Sequence, residues 1–193
     1  GNIKFKDLKP SAVVGTSSYR REYQLKNKRS DLTYKLIRGN VDTRIKKLEQ
    51  GNYDAIILSK AGVEALNLNN KITEEFSTEE LIPCAGQGII AIQCRDDDVV
   101  IKELLEIVND SESRILANTE REVLKILEGD CDTAIGVFSY IEGNNVSLIT
   151  ELFSVDGKQR YFIKDTKNID LAKKLARELG EALKLKSKGS YKR

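Results

Sequence analysis

The sequence predicts an α/β fold in two parts, a parallel-type α/β domain followed by a small α+β domain with an antiparallel sheet. Two observations carry this expectation. Through about residue 68, a short apolar run, a small or polar turn and an amphipathic helical stretch recur three times, the grammar of a parallel sheet covered by helices. From about Ser111 the grammar changes to one helix, three strand-like runs joined by hairpin-type turns, and a last helix.

Taken in order, the run 12–14 leads through Gly15-Thr16-Ser17-Ser18 into a helical stretch near 18–28, and the next strand is predicted at 33–37. Arg38-Gly39-Asn40 then passes into a helix near 41–50, where Ile45 and Leu48 keep helical spacing and Gly51 fits a C-terminal stop. A third strand at 53–58 and a helix near 61–68 complete the repeat. Gly86-Gln87-Gly88 reads as a turn before another strand at 89–94, and a helix near 99–108 follows the corner Asp96-Asp97-Asp98. The second part is predicted as a helix at 112–127 stopped by Gly129, then strands near 134–141, 146–154 and 159–163 linked by Gly143-Asn144-Asn145 and Asp156-Gly157. The last helix, near 170–185, carries Leu171, Leu175, Leu179 and Leu183 on one face, and a frayed tail is expected from Lys186 onward.

Composition narrows the function classes. The 193 residues are 40% apolar and 32% charged, ordinary for a globular chain able to bury a core. A net charge of +2 gives no reason to expect nucleic acid as a partner, and no apolar run approaches the ~20 residues of a membrane span. The three cysteines, Cys84, Cys94 and Cys131, are widely separated and form no CxxC pair, which argues against a disulfide framework and a thiolate zinc site and favours a reducing cytoplasm. Without histidine there is no Ser-His or Cys-His nucleophile pair. The absence of methionine and the Gly1-Asn2 opening suggest a piece of a longer protein.

The residues that could carry chemistry cluster after the strands. The turn Gly15-Thr16-Ser17-Ser18-Tyr19-Arg20-Arg21 sets hydroxyls, the free amides of a helix start and two guanidinium groups at the sheet's carboxyl edge, an arrangement suited to an anion. Arg38 ends the next strand, and Arg44 falls in the first turns of the next helix, where the helix dipole disfavours a cation unless an anion offsets it. Four arginines facing one cleft would suit a polycarboxylate, because each guanidinium can give a carboxylate two parallel charge-assisted hydrogen bonds. Simple helix capping by the hydroxyls and solvent-facing ion pairs at Arg21 or Arg44 remain open alternatives. Phosphate is the rival anion, but neither a Walker loop nor a GxGxxG follows the first strand. Gln87 can hydrogen-bond a ligand from its turn, Cys94 is expected to pack, and Cys131, just past a helix end, is a loop cysteine.

Together, Val14-Gly15-Thr16-Ser17-Ser18-Tyr19-Arg20-Arg21, Ile37-Arg38-Gly39-Asn40-Val41-Asp42-Thr43-Arg44, Tyr53-Asp54-Ala55-Ile56-Ile57-Leu58 with Ala61-Gly62, Gly86-Gln87-Gly88, and Glu120-Arg121 with Leu127-Glu128-Gly129-Asp130-Cys131 resemble the hydroxymethylbilane synthase (porphobilinogen deaminase) family in order and spacing. The resemblance runs from about Ala12 to the C-terminus. It implies a transferase of tetrapyrrole (porphyrin and haem) biosynthesis that joins four porphobilinogens, with loss of ammonia, on a dipyrromethane cofactor held by a thioether to Cys131. Arg20, Arg21, Arg38 and Arg44 match positions that bind the pyrrole carboxylates, with Thr16, Ser18 and Gln87 nearby. Asp130 stands where the family has a second glycine, Thr133-Ala134 replaces a small-residue and proline context, and Glu64-Ala65 replaces an expected basic residue.

The resemblance further implies a periplasmic-binding-like second domain near 1–88, a returning strand and helix of an N-terminal domain near 89–108, and a C-terminal domain over 109–193. The aspartate that handles protons on the pyrrole nitrogens belongs to that N-terminal domain, so no catalytic residue is assigned in this sequence and the chain alone is expected to be inactive. The partners implied are porphobilinogen and the growing oligopyrrole, with a monomeric full-length enzyme and a chain that self-associates through 89–94. A non-catalytic small-acid-binding module of solute-binding type is the alternative; it gives the Cys131 loop no role.

Overall fold

The structure is a computed structural model that describes residues 3–130 and 132–192. Its first sheet has three parallel strands in the order β2-β1-β3, where β1 is Val13–Thr16, β2 Thr33–Leu36 and β3 Ala55–Ile56. Helix α1 (Tyr19–Lys28) connects β1 to β2, and α2 (Val41–Glu49) connects β2 to β3. Each parallel neighbour needs such a crossover, which is why strand and helix alternate. Val14 pairs with Tyr34 on one side and Ala55 on the other and is completely buried, with Leu8, Leu32 and Ile57 around it. Gly15 has no room for a side chain, since a Cβ there would stand 2.9 Å from the Tyr53 ring.

The third strand is shorter than the predicted 53–58, although backbone bonds from Asp54 to Val13 (2.8 Å) and from Ile57 to Gly15 (3.0 Å) extend its attachment. The helix after it, α3 (Lys60–Glu64), ends well before the predicted residue 68, where Asn67 adopts a left-handed φ of 55°.

The second sheet is an antiparallel meander, β4 (Ile135–Glu142), β5 (Asn145–Phe153) and β6 (Arg160–Asn168). Its two hairpins turn at Gly143 and Gly157, both with positive φ, as the sequence leads one to expect. Helices α5 (Ser111–Leu127) and α6 (Ala172–Ser187) cover one face. Val123, Leu127, Val137, Leu148, Leu175 and Leu183 make its centre, each sheltered enough to contribute up to roughly 1.5–3 kcal/mol. A Cβ at Gly180 would sit 3.0 Å from Ile126, so a glycine there lets the two helices approach closely.

Four expectations are corrected. No strand forms at 89–94: among the described residues nothing pairs with this segment, and Ile90 and Ile92 are exposed. The helix that follows, α4 (Val99–Val108), forms where predicted, yet none of its residues is buried. The left-handed residue that ends α5 is Glu128 (φ 53°) rather than Gly129, whose amide closes on Leu124 O at 3.1 Å. The expected frayed tail packs instead, because Tyr191 is buried and donates its hydroxyl to Leu127 O at 3.0 Å, while Val155 N bonds Ser190 O at 2.9 Å. On α6 the apolar face holds Leu175, Leu179 and Leu183, but Leu171, in the short 3-10 turn before the helix, is exposed.

Candidate functional site

The turn after β1 is an N-cap first. Ser18 caps α1, its Oγ accepting from Arg21 N at 3.4 Å, and the buried Thr16 accepts from Ser18 N through Oγ1 at 3.2 Å. Both hydroxyls therefore shape the helix start that carries the two arginines.

Those arginines diverge. Arg20 points inward and is buried, donating from Nη1 to Ile82 O at 2.6 Å and from Nη2 to Gln87 Oε1 at 3.2 Å. Burial, reinforced by the neighbouring Arg21, pulls its pKa down to about 10, against the opposing pull of Cys84 and of Glu151 on the second sheet; it stays cationic at neutral pH. Arg21 turns to the other side, where Nη1 donates to Ile57 O at 3.3 Å. Its pKa is also lowered, first by burial and, after a partial offset from Cys84, by Arg44.

Arg21 and Arg44 line one cavity of about 730 Å³, together with Gly39, Asn40, Asp42 and Ser59. Its walls come from the segments following β1, β2 and β3, so it lies beyond the carboxyl ends of the parallel strands, the edge at which such sheets take ligands. Arg44 is fixed by an Nε bond to Gly39 O at 2.7 Å, and Gly39 at φ 119° has no room for a Cβ, which would meet Thr43 at 2.8 Å. Arg38 is exposed and does not line the cavity; its carbonyl accepts from Lys47 Nζ at 2.9 Å. Gln87 is exposed in its turn, its Oε1 shared between Arg20 and the Cys84 thiol at 3.4 Å. Cys94, expected to pack, is only half-buried.

Two contacts of this region are not foreshadowed in the sequence, although Glu120 itself belongs to a motif shared with the family. Gln24, one turn after Arg20, exchanges two hydrogen bonds with the Ile82 backbone, and the buried Glu120 accepts from Gly86 N. For Gln24 the only sequence signal is a polar residue at a core-facing helical position, and for Glu120 it is that and its place in the Glu120-Arg121 motif. Cys131 lies outside the described residues. Next to it, Asp130 Oδ1 accepts from Asp132 N, Thr133 N and Thr133 Oγ1 at 2.9–3.0 Å, so the departure from glycine at 130 builds a tight local turn. A second cavity, of about 870 Å³, is lined by Arg121, Lys125, Gly129, Asp170 and Lys173.

A parallel α/β sheet with two repelling guanidinium groups at one cavity beyond its strand ends is an arrangement whose charge suits a small anion. Residues 1–103 match the family model described as porphobilinogen deaminase, dipyromethane cofactor binding domain, and residues 115–186 match that of the porphobilinogen deaminase C-terminal domain. The chain belongs to the porphobilinogen deaminase family. It is 41% identical over 179 residues to a probable porphobilinogen deaminase of Nitrosopumilus maritimus, covering 93% of this chain and 57% of that protein. To the porphobilinogen deaminase of Clostridium botulinum it is 42% identical over 184 residues, covering 93% and 62%. A probable porphobilinogen deaminase of Methanopyrus kandleri is 41% identical over 160 residues, covering 82% and 54%. The chain thus spans little more than half the length of these curated relatives. A solute-binding module leaves the match at 115–186 without explanation.

The cavity fits the cofactor named for the family domain. Dipyrromethane carries carboxylate arms, and burial and the nearby Arg44 charge both disfavour the Arg21 cation, a cost that an anion would relieve.

Proposed function

We propose that this chain is the carboxylate-binding and cofactor-bearing portion of a hydroxymethylbilane synthase, which polymerises four porphobilinogens with loss of ammonia on a dipyrromethane primer. The observation that carries the reading is the convergence of Arg21 and Arg44 on one cavity at the sheet's carboxyl edge. When bound, dipyrromethane supplies the pyrrole carbon to which the first substrate is joined.

The protein's part is to hold and align. Arg21 and Arg44 grip acetate and propionate arms by paired charge-assisted hydrogen bonds, and Arg38, adjoining the cavity residue Gly39, adds a cation beside them. Thr16 and Ser18 act through the helix cap, and Arg20 with Gln87 by anchoring the start of the helix that also carries Arg21. Cys131 carries the thioether, supported by the family match and by the position of 131 just past α5. No proton-transfer residue is assigned to this chain.

In this reading residues 1–88 form the periplasmic-binding-like domain, 89–108 return to an N-terminal domain, and 109–193 form the C-terminal domain. The enzyme works as a monomer in the cytoplasm; among the described residues no helix is long and apolar enough to cross a membrane. Peptide mass mapping after reconstitution of the full-length enzyme with porphobilinogen tests the assignment. The adduct is expected on Cys131 and absent from Cys131→Ala, and an adduct on Cys84 or Cys94 would overturn it.

A further inference from the structure

The segment from Ile82 to Gly88 is a strap between the two sheets. At one end it is fastened to α1 by Gln24 and Arg20 through Ile82. In the middle Pro83 O accepts from Val137 N of β4 at 2.8 Å. At the other end Gly86 donates its amide to Glu120 Oε2 at 2.7 Å, while Glu120 Oε1 accepts from Ser139 N at 2.8 Å and Ser139 Oγ at 2.9 Å.

Glu120 is only 4% exposed, and among the described residues no Lys or Arg forms an ion pair with it. A buried carboxylate without a cation is costly, and burial does raise its pKa against the pull of those three donors. An apolar residue would serve a core position on α5 better. What the carboxylate adds is two acceptor oxygens that bind backbone amides of two different elements, the Gly86 turn and β4. Gly86 itself takes a left-handed φ of 73°, a conformation glycine adopts without steric cost. The next residue, Gln87, meets the Arg20 guanidinium, whose neighbour Arg21 lines the cavity. Eleven residues beyond Glu120 is Cys131.

We propose that Glu120 is a positioning residue that clamps the Gly86-Gln87-Gly88 turn onto α5, so that Gln87 stays against Arg20 and the arginine helix keeps a fixed register to the helix leading to Cys131. The consequence for ligand binding rests on the function proposed above; the clamp itself does not.

The test is Glu120→Gln in the full chain, read by amide hydrogen exchange and by calorimetric titration with porphobilinogen. Glutamine keeps the size but turns one acceptor into a donor that faces another N–H. Exchange at Gly86 and Gln87 is expected to rise roughly tenfold to a hundredfold, with β5 and α6 amides unchanged and porphobilinogen affinity weakened by a similar or smaller factor. Unchanged exchange at the turn, or an equal rise throughout β4, β5 and β6, would overturn the clamp. A loosened turn with undiminished affinity would overturn the consequence for ligand binding and leave the clamp standing. If the unsubstituted chain binds no porphobilinogen, the proposed function fails, and the exchange arm alone still decides whether Glu120 clamps the turn.

Discussion

Gln24 and Ile82 exchange two hydrogen bonds, Nε2 donating to Ile82 O at 2.9 Å and Oε1 accepting from Ile82 N at 2.7 Å. One side chain thereby satisfies both polar groups of a buried backbone residue 58 positions away. Gln24→Ala leaves the Ile82 amide unpaired, since the carbonyl keeps Arg20, and should cost about 1–3 kcal/mol. Urea unfolding measures it, and a change well under 0.5 kcal/mol would mean that the strap is not held there.

Arg20 should behave as a structural arginine. Lysine has one nitrogen and cannot reach Ile82 O and Gln87 Oε1 together, so Arg20→Lys is expected to destabilise the fold by about 1.5–3 kcal/mol. Thermal unfolding should show the loss without any ligand present, which separates Arg20 from the cavity arginines.

The pH dependence of Glu120 has a definite sign. Its folded pKa is raised by burial above the ordinary 4.5, so between those two values the folded state binds more protons than the unfolded state. Glu120 therefore favours folding most below the ordinary value, and that contribution is lost as pH rises through the folded pKa. The stability of the unsubstituted protein relative to Glu120→Gln should fall across this window on going towards neutral pH. Exposed carboxylates with depressed values, such as Asp31 beside Arg29 and Glu128 beside Lys192, act oppositely and are common to both proteins. A stability difference independent of pH would show that Glu120 is not desolvated.

The bare apolar face of the 89–108 region should drive self-association. Ile90 is 92% exposed and Ile107 79%, and Val99, Val100, Leu104 and Val108 are exposed as well. Ile90→Lys with Ile107→Lys is expected to abolish concentration-dependent sedimentation of the chain. A chain already monomeric at high concentration would refute the expectation.

Much of this molecule was legible in its sequence where local rules govern. The parallel repeat, the meander and α5 follow from period and turn chemistry, and α4 from its place after the Asp96-Asp97-Asp98 corner. The segment 89–94 reads as a strand because Ile89 to Ile92 are apolar, but a strand needs a partner, and pairing is not a local property. The tail packs for a related reason that local sequence does not carry: Tyr191 is held by Leu127, 64 residues away. At the site, Arg21 and Arg44 could be placed at the sheet edge from their position after strands. That Arg20, one residue earlier, would turn inward to Ile82 could not, because the direction depends on a strap that folds back from distant sequence.

Calorimetric titration with porphobilinogen of the chain, of Arg21→Lys and of Arg44→Lys tests most directly whether the cavity binds pyrrole carboxylates. Binding to the unsubstituted chain is expected, weakened by about 1.5–3 kcal/mol in each variant with unfolding temperatures preserved, because lysine cannot reproduce the paired bonds. Equal affinity in all three proteins, or none in the unsubstituted chain, would contradict the assignment of Arg21 and Arg44 to the carboxylate arms.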